Sequence, residues 1–453
     1  MLPASSLFVI FIVFVMGLAT GFGTTAHAKK PATASDGKAV AGALTAGTPK
    51  APMSALLAAA DEIVRQVGAL RGLAPKKTLQ RGVLSRPDIG TKLKARLDQE
   101  YAPGEIRSES RVLHRLGLLP PDVDYEKLLL DVLMEQVAGF YDPFTAKLYI
   151  ADWLPLEMQR PAMAHEIEHA LQDQHFGLKQ FSTPLKDNGD RQLARAALVE
   201  GDGTLLMLEF QAQAMGLPTE QLPDLVTTMG KQMLEMGMAS TPIFAKAPAF
   251  LKETLIFPYF SGLQLVAQLK RQGGWARVDQ AWKSPPETTE QVLHPEKYLA
   301  GEKAIPVNPP SLSTQLSGRK EDRRDVLGEL GWRILLLQAV PEADAAAAAK
   351  GWGGDRIISY SDAAKPDAAP TVLLASAWDS EADAAEAEAA AKKLIARLGG
   401  KTAPVAGVVV DPNRDEWLVE RHGSRVALLL GAPTGTATVA MAELWRTWPD
   451  KTP

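Results

Sequence analysis

The stretch Ala164-His165-Glu166-Ile167-Glu168-His169 constrains the architecture more than any other part of the chain. Two histidines four residues apart come onto one face only if the backbone between them is helical, because residues i and i+4 lie one above the other. Both imidazoles can then reach a single ion. Glu166, one position round from the first histidine, stands beside that ion and can take a proton from a water. The chain contains no cysteine, which excludes thiolate ligands, disulfides and a cysteine nucleophile together. Any metal must be held by His, Asp or Glu, and two imidazoles, a carboxylate and an open position suit zinc. A second element must therefore pack against this helix and supply the third ligand.

Two residues compete for that role. His175 follows His169 at the spacing of the HExxHxxGxxH pattern, but the glycine that would turn the chain back is replaced by Gln172. A continuing helix carries His175 away from the site. Glu200 is the better candidate. It lies in Ala197-Leu198-Val199-Glu200-Gly201-Asp202-Gly203, where apolar neighbours place it in the core and a buried carboxylate demands a partner. The glycines would let two helices approach closely. Asp202 reads either as a carboxylate orienting a ligand histidine or as a solvated group beside a glycine bend. Glu168 is expected to be a solvated residue on the outer helix face.

Around this centre the sequence organises itself. Leu7 to Leu18 is an apolar run followed by Ala26-His27-Ala28, which reads as a signal peptide over residues 1–28. The alternative is an uncleaved N-terminal anchor. Either implies an extracytoplasmic body, and membrane attachment is expected only through this segment. Residues 29–52 read as a flexible leader. Helical periodicity begins at Met53, and Tyr125 to Val137 reads as a mostly buried helix. Gly139-Phe140-Tyr141 and Lys147-Leu148-Tyr149-Ile150, around Asp142-Pro143, predict a hairpin. Pro161 is expected to open the helix of the two histidines, and a further helix runs from about Arg191 to Met215. A polar stretch from Asn308 to Arg324 suggests a boundary. Residues 53–320 then form one domain, and residues 326–450 a smaller α+β one. In the latter, strands are expected at Val372-Leu374, Val408-Val410, Trp417-Val419 and Val426-Leu430, with helices over Glu381–Leu398 and Thr436–Trp445. Trp275 and Trp352 read as packed tryptophans at turns. A net charge of −4 supplies no basic surface for nucleic acid.

These residues resemble the gluzincin metallopeptidases of bacteria, which combine HExxH with a downstream glutamate. The resemblance covers roughly residues 120–300. It rests on Gly139-Phe140-Tyr141-Asp142-Pro143, His165 to Phe176 (HEIEHALQDQHF), Glu200-Gly201, and Thr289 to Tyr298 (TEQVLHPEKY). It implies an α+β, zincin-like and mainly helical domain with a small sheet, whose edge strand receives substrate backbone by strand addition. It implies one Zn2+ held by His165, His169 and Glu200, with Glu166 as general base in the hydrolysis of peptide or protein substrates. Tyr259 and His294, both downstream of Glu200, are the candidate donors to the tetrahedral oxyanion. The alternative function is a catalytically weak or inactive zincin-like binding module of the cell envelope. Loss of the base would favour it, and Glu166 is present.

Overall fold

The computed structural model describes residues 51–219, 222, 241–399 and 407–448. The expected signal peptide and nearly all of the leader lie outside these residues. Among the described residues, no helix is long and apolar enough to cross a membrane.

The protein is α+β. Helix α1 (Met53–Arg71) leads through β1 (Gln80–Leu84) into α2 (Arg86–Glu100), α3 (Glu105–Arg115) and α4 (Tyr125–Gln136). Side-chain oxygens start two of these helices: Ser85 accepts from the Asp88 N–H, and Asp124 from that of Lys127, which satisfies donors that have no partner inside the helix. The predicted hairpin follows as β2 (Gly139–Asp142) and β3 (Lys147–Ala151). Strand β3 is central in a three-stranded sheet, parallel to β1 and antiparallel to β2, so β2 is an edge.

Helix α5 (Leu156–Phe176) carries the two histidines and begins earlier than expected, with Pro161 inside it. It ends at Gly177, whose φ of 74° is the left-handed cap that glycine adopts without strain. Residues Ala162 to Gln172 are all buried, so this central stretch of the helix has no solvent face. Helix α6 (Gly189–Ala214) is also buried along most of its length, and Asn188 caps it by accepting from the Arg191 N–H. Helix α7 (Ala249–Lys283) packs along α6 and is broken by non-helical backbone at Gly273 and Gly274. Helix α1 lies across both α5 and α6.

A second sheet has the order β4-β5-β6-β9-β8-β7, with every adjacent pair antiparallel. Its elements in chain order are β4 (Arg319–Asp325), α8 (Gly328–Leu336), α9 (Glu342–Ala349), β5 (Trp352–Asp362), β6 (Thr371–Trp378), α10 (Glu381–Leu398), β7 (Val409–Val410), β8 (Glu416–His422), β9 (Arg425–Ala432) and α11 (Ala437–Thr447). Side chains alternate across β6. Val372 and Leu374 face the large core shared with the first sheet's helices. Leu373 and Ala375 face a second core under α11. Both faces are covered, so β6 and β9 read as continuous apolar runs rather than as alternation.

The polar stretch read as a boundary, Asn308 to Arg324, runs into the second sheet, because Arg319–Asp325 is its edge strand β4. Trp352, expected to be packed at a turn, is 1% exposed and opens β5 directly after the turn at residues 350–351, donating its indole N–H to Asp355 at 2.7 Å.

Candidate metal centre

Helices α5 and α6 bring the expected ligands together. His165 Nε2 lies 3.0 Å from Glu200 Oε2, and His169 Nε2 lies 3.6 Å from the same oxygen. The two imidazoles stand edge to face with ring centres 4.5 Å apart. Ligand atoms of His165, Glu166 and His169 also fall within 4.8 Å of one another. All four residues are at most 1% exposed.

The glycines anticipated near Glu200 have distinct tasks. A Cβ at Gly203 would come within 3.0 Å of His165 Cε1 and 3.2 Å of His169 Cε1, so hydrogen there makes room for both rings. A Cβ at Gly201 would overlap the backbone of Gly262 on α7, and one at Gly262 would overlap the carbonyl of Ala197. The backbones of α6 and α7 therefore touch one residue away from Glu200. The same crossing brings in Tyr259 of α7, whose ring centre is 6.2 Å from that of His165 and inclined to it by 30°.

Glu166 points toward the small sheet. Its Oε2 accepts the backbone N–H of Tyr141 at 2.6 Å, and Tyr141 sits on edge strand β2. Its Oε1 is buried with no hydrogen-bond partner among the described residues, as is Glu200 Oε1. Burial, reinforced by Glu200, raises the Glu166 carboxyl well above the usual carboxylate range against the pull of the Tyr141 N–H. Burial also opposes charge on Glu200, but His169 and His165 together hold its carboxyl below its ordinary value. Burial and the neighbouring His169 lower His165. The centre thus disfavours charge on His165 and favours the ionised form of Glu200. Two imidazoles and two carboxylates with orphaned buried oxygens form a donor set that fits a zinc ion.

Gln172, read from the sequence only as the missing glycine, is fully buried. Its Oε1 is 2.8 Å from His169 Nδ1 and its Nε2 donates to the Val199 carbonyl at 3.3 Å. His175 is carried off by the continuing helix, as expected, and bonds the Ala74 carbonyl at 2.8 Å.

Glu168 overturns its expectation. It is fully buried rather than solvated, with Oε1 3.3 Å from Arg71 Nε at the end of α1. Arg71 also grips Asp202 through two bonds of 2.9 and 3.0 Å and reaches Asp279 at 2.8 Å. Trp282 donates to Asp202 at 3.0 Å. Asp202 therefore neither orients a ligand histidine nor meets solvent. This cluster ties α1, α5, α6 and α7 together next to the candidate metal centre.

His294 is placed elsewhere. Its Nε2 is 2.9 Å from Glu329 Oε1 on α8, and its Nδ1 is 3.7 Å from Glu296. The rest of the Thr289–Tyr298 stretch also joins the two halves of the protein. Thr289 bonds Asp190 at the start of α6 through both its hydroxyl and its N–H. Lys297 reaches Glu290, Asp379 and Glu302 at 2.6, 2.8 and 2.9 Å. Those three carboxylates surround an ammonium, not a vacant cation site. A cleft of about 940 Å³ opens at this junction, lined by Asp190, Arg191, Lys283, Tyr298 and Arg356 among others. None of the four clustered residues lines it.

Among protein families, a model described as a domain of unknown function (DUF8575) matches residues 314–441. That span begins just before β4 and ends within α11, so it corresponds to the second sheet and its helices. No curated protein and no solved structure matches the chain.

Proposed function

We propose that the protein is an extracytoplasmic, zinc-dependent peptidase of the gluzincin type, with a zincin-like arrangement of α5, α6 and the small sheet. One observation carries the reading. The imidazoles of His165 and His169 on one helix meet the carboxylate of Glu200 on another at 3.0 and 3.6 Å, while Glu166 stands beside them with one oxygen uncommitted. His165, His169 and Glu200 would hold the ion. When bound, zinc supplies Lewis acidity to the scissile carbonyl and to the attacking water.

The chain's own groups do the remaining work. Glu166 Oε1 takes the proton of the water and returns it to the leaving amine. The Tyr141 N–H fixes the other oxygen of that carboxylate, so the base keeps one orientation. Strand β2 is the outer strand of the small sheet next to Glu166, and an extended peptide would align along it beside that carboxylate. Tyr259, against His165, is the donor candidate for the developing oxyanion. His294 pairs with Glu329 and is not one of the clustered residues, so no step is assigned to it. The extracytoplasmic setting rests on the N-terminal apolar run and its Ala-x-Ala sequel.

The test is bound zinc and peptide hydrolysis in wild type, Glu166→Gln and Glu200→Ala. Glu166→Gln is expected to keep its zinc and lose about 10²–10⁴-fold in rate. Glu200→Ala is expected to lose zinc. Equal hydrolysis by wild type and Glu166→Gln would remove the mechanism, and full zinc content in Glu200→Ala would remove the third ligand.

A further inference from the structure

Gln172 lies one turn beyond His169 on α5, where the chain's neighbours allow it no solvent. An amide side chain has one accepting oxygen and one donating nitrogen. The Val199 carbonyl can only accept, so the end of Gln172 that meets it, at 3.3 Å, is the NH₂ group. The oxygen then faces His169 Nδ1 at 2.8 Å, and that nitrogen must carry the ring proton. His169 Nε2 is left with its lone pair toward Glu200. Val199 directly precedes Glu200, so the same amide also pins α5 to the backbone beside the third ligand. One side chain thereby sets the tautomer of one ligand and the spacing between two.

We propose that Gln172 is a positioning residue of the metal centre, holding His169 in its metal-binding tautomer and orientation. This rests on reading the cluster as a zinc site. Second partners of ligand histidines act in this way, and their loss weakens metal binding about 10–100-fold.

The experiment measures zinc affinity by competition with a chromophoric chelator, and the visible absorption of the cobalt-substituted protein. Wild type, Gln172→Leu and Gln172→Glu are compared, with circular dichroism of the metal-free forms as the folding control. Gln172→Leu is expected to bind zinc about 10–100-fold more weakly and to show an altered cobalt spectrum. Gln172→Glu, which keeps an acceptor at Nδ1, recovers most of the affinity. Wild-type affinity and spectrum in Gln172→Leu would overturn the proposal, and so would equal weakening in both variants. In the zinc-loaded wild type, nitrogen-15 NMR of the histidine rings reads the tautomer without any substitution. A protonated Nδ1 on His169 supports the assignment, and ligation through Nδ1 overturns it. Failure of the wild type to bind zinc at all is a separate result, which removes the metal centre itself.

Discussion

Glu166 and Glu168 are two positions apart on α5, and both are buried. Their surroundings separate them. Glu166 has a strand N–H on one oxygen and, among the described residues, no partner on the other, which leaves an atom available for proton transfer. Glu168 faces the guanidinium of Arg71, which makes it part of the frame. The spacing of His165, Glu166 and His169 was legible because it depends only on local helix geometry. Glu200 was legible because a carboxylate among apolar residues needs a partner. The roles of Glu168 and Asp202 were not, since both turn on Arg71, about a hundred or more residues earlier in the chain. Gln172 was hidden for another reason: its partners are His169, on its own helix, and a backbone carbonyl on the next, which no side-chain pattern announces. Tyr259 lies between these cases, in an apolar run that places it in the core but does not say against what. Its ring against His165 makes Tyr259→Phe the informative change. Loss of a donor to the oxyanion is expected to lower kcat about 10²-fold with bound zinc unchanged. Steady-state kinetics beside metal analysis checks this, and an unaltered kcat would return Tyr259 to packing alone.

At the scale of elements, the pattern was readable wherever one face is dry or both are. The hairpin, α4, α6, α10 and the β8–β9 pair fall close to where periodicity places them. Three strands escaped, the short β1 (Gln80–Leu84) among them. Strand β4, Arg-Lys-Glu-Asp-Arg-Arg-Asp, has no apolar side to alternate, because it is a charged edge of the kind that discourages pairing with another chain. Strand β5 carries Gly353-Gly354 directly after its first residue, a pair that looks like a turn. In the fold these glycines lie at a bulge where the segment around Ile305 crosses: a Cβ on Gly354 would overlap the Ile305 carbonyl. The crossing of α6 and α7 at Gly201 and Gly262 is the element contact that matters most for the centre, since it sets how far Glu200 stands from α5. In an exposed helix, Gly→Ala stabilises by about 1 kcal/mol. At Gly262 the sign reverses, because the added methyl meets backbone that cannot move aside. Gly262→Ala is expected to destabilise by about 1–3 kcal/mol and to weaken zinc binding. Urea unfolding with a zinc titration measures both, and a stabilised variant would disprove the close crossing.

For the whole molecule, two sheets and their helices share one core, which runs from Leu56 on α1 to Leu430 on β9. The sequence suggests a boundary between Asn308 and Arg324, where composition changes, but composition reports exposure and not which surfaces meet. Arg115 of α3 bonds the Pro370 carbonyl and Asp415 at 2.7 Å each, and Asp325 of β4 accepts the first N–H of α6 at 2.7 Å. The second sheet is thus attached to the helix that carries Glu200. The seam also contains Glu109 of α3, 2% exposed and near Arg323 of β4. Burial pushes its carboxyl up to about 8, against the attraction of Arg323. In the unfolded chain the same group returns to 4.5. Between these values the folded protein binds the extra proton, so this group's contribution is complete below about pH 4.5. It falls as pH rises to about 8 and is flat beyond. Gln at this position is neutral at every pH. Relative to wild type, Glu109→Gln is therefore expected to lose less stability between pH 5 and pH 8.5, by on the order of a few kcal/mol. Glu100, also raised to about 8 by burial, keeps part of the slope in both proteins. Urea unfolding at the two pH values measures the difference, and identical pH dependence in the two proteins would show that Glu109 is ionised within the seam.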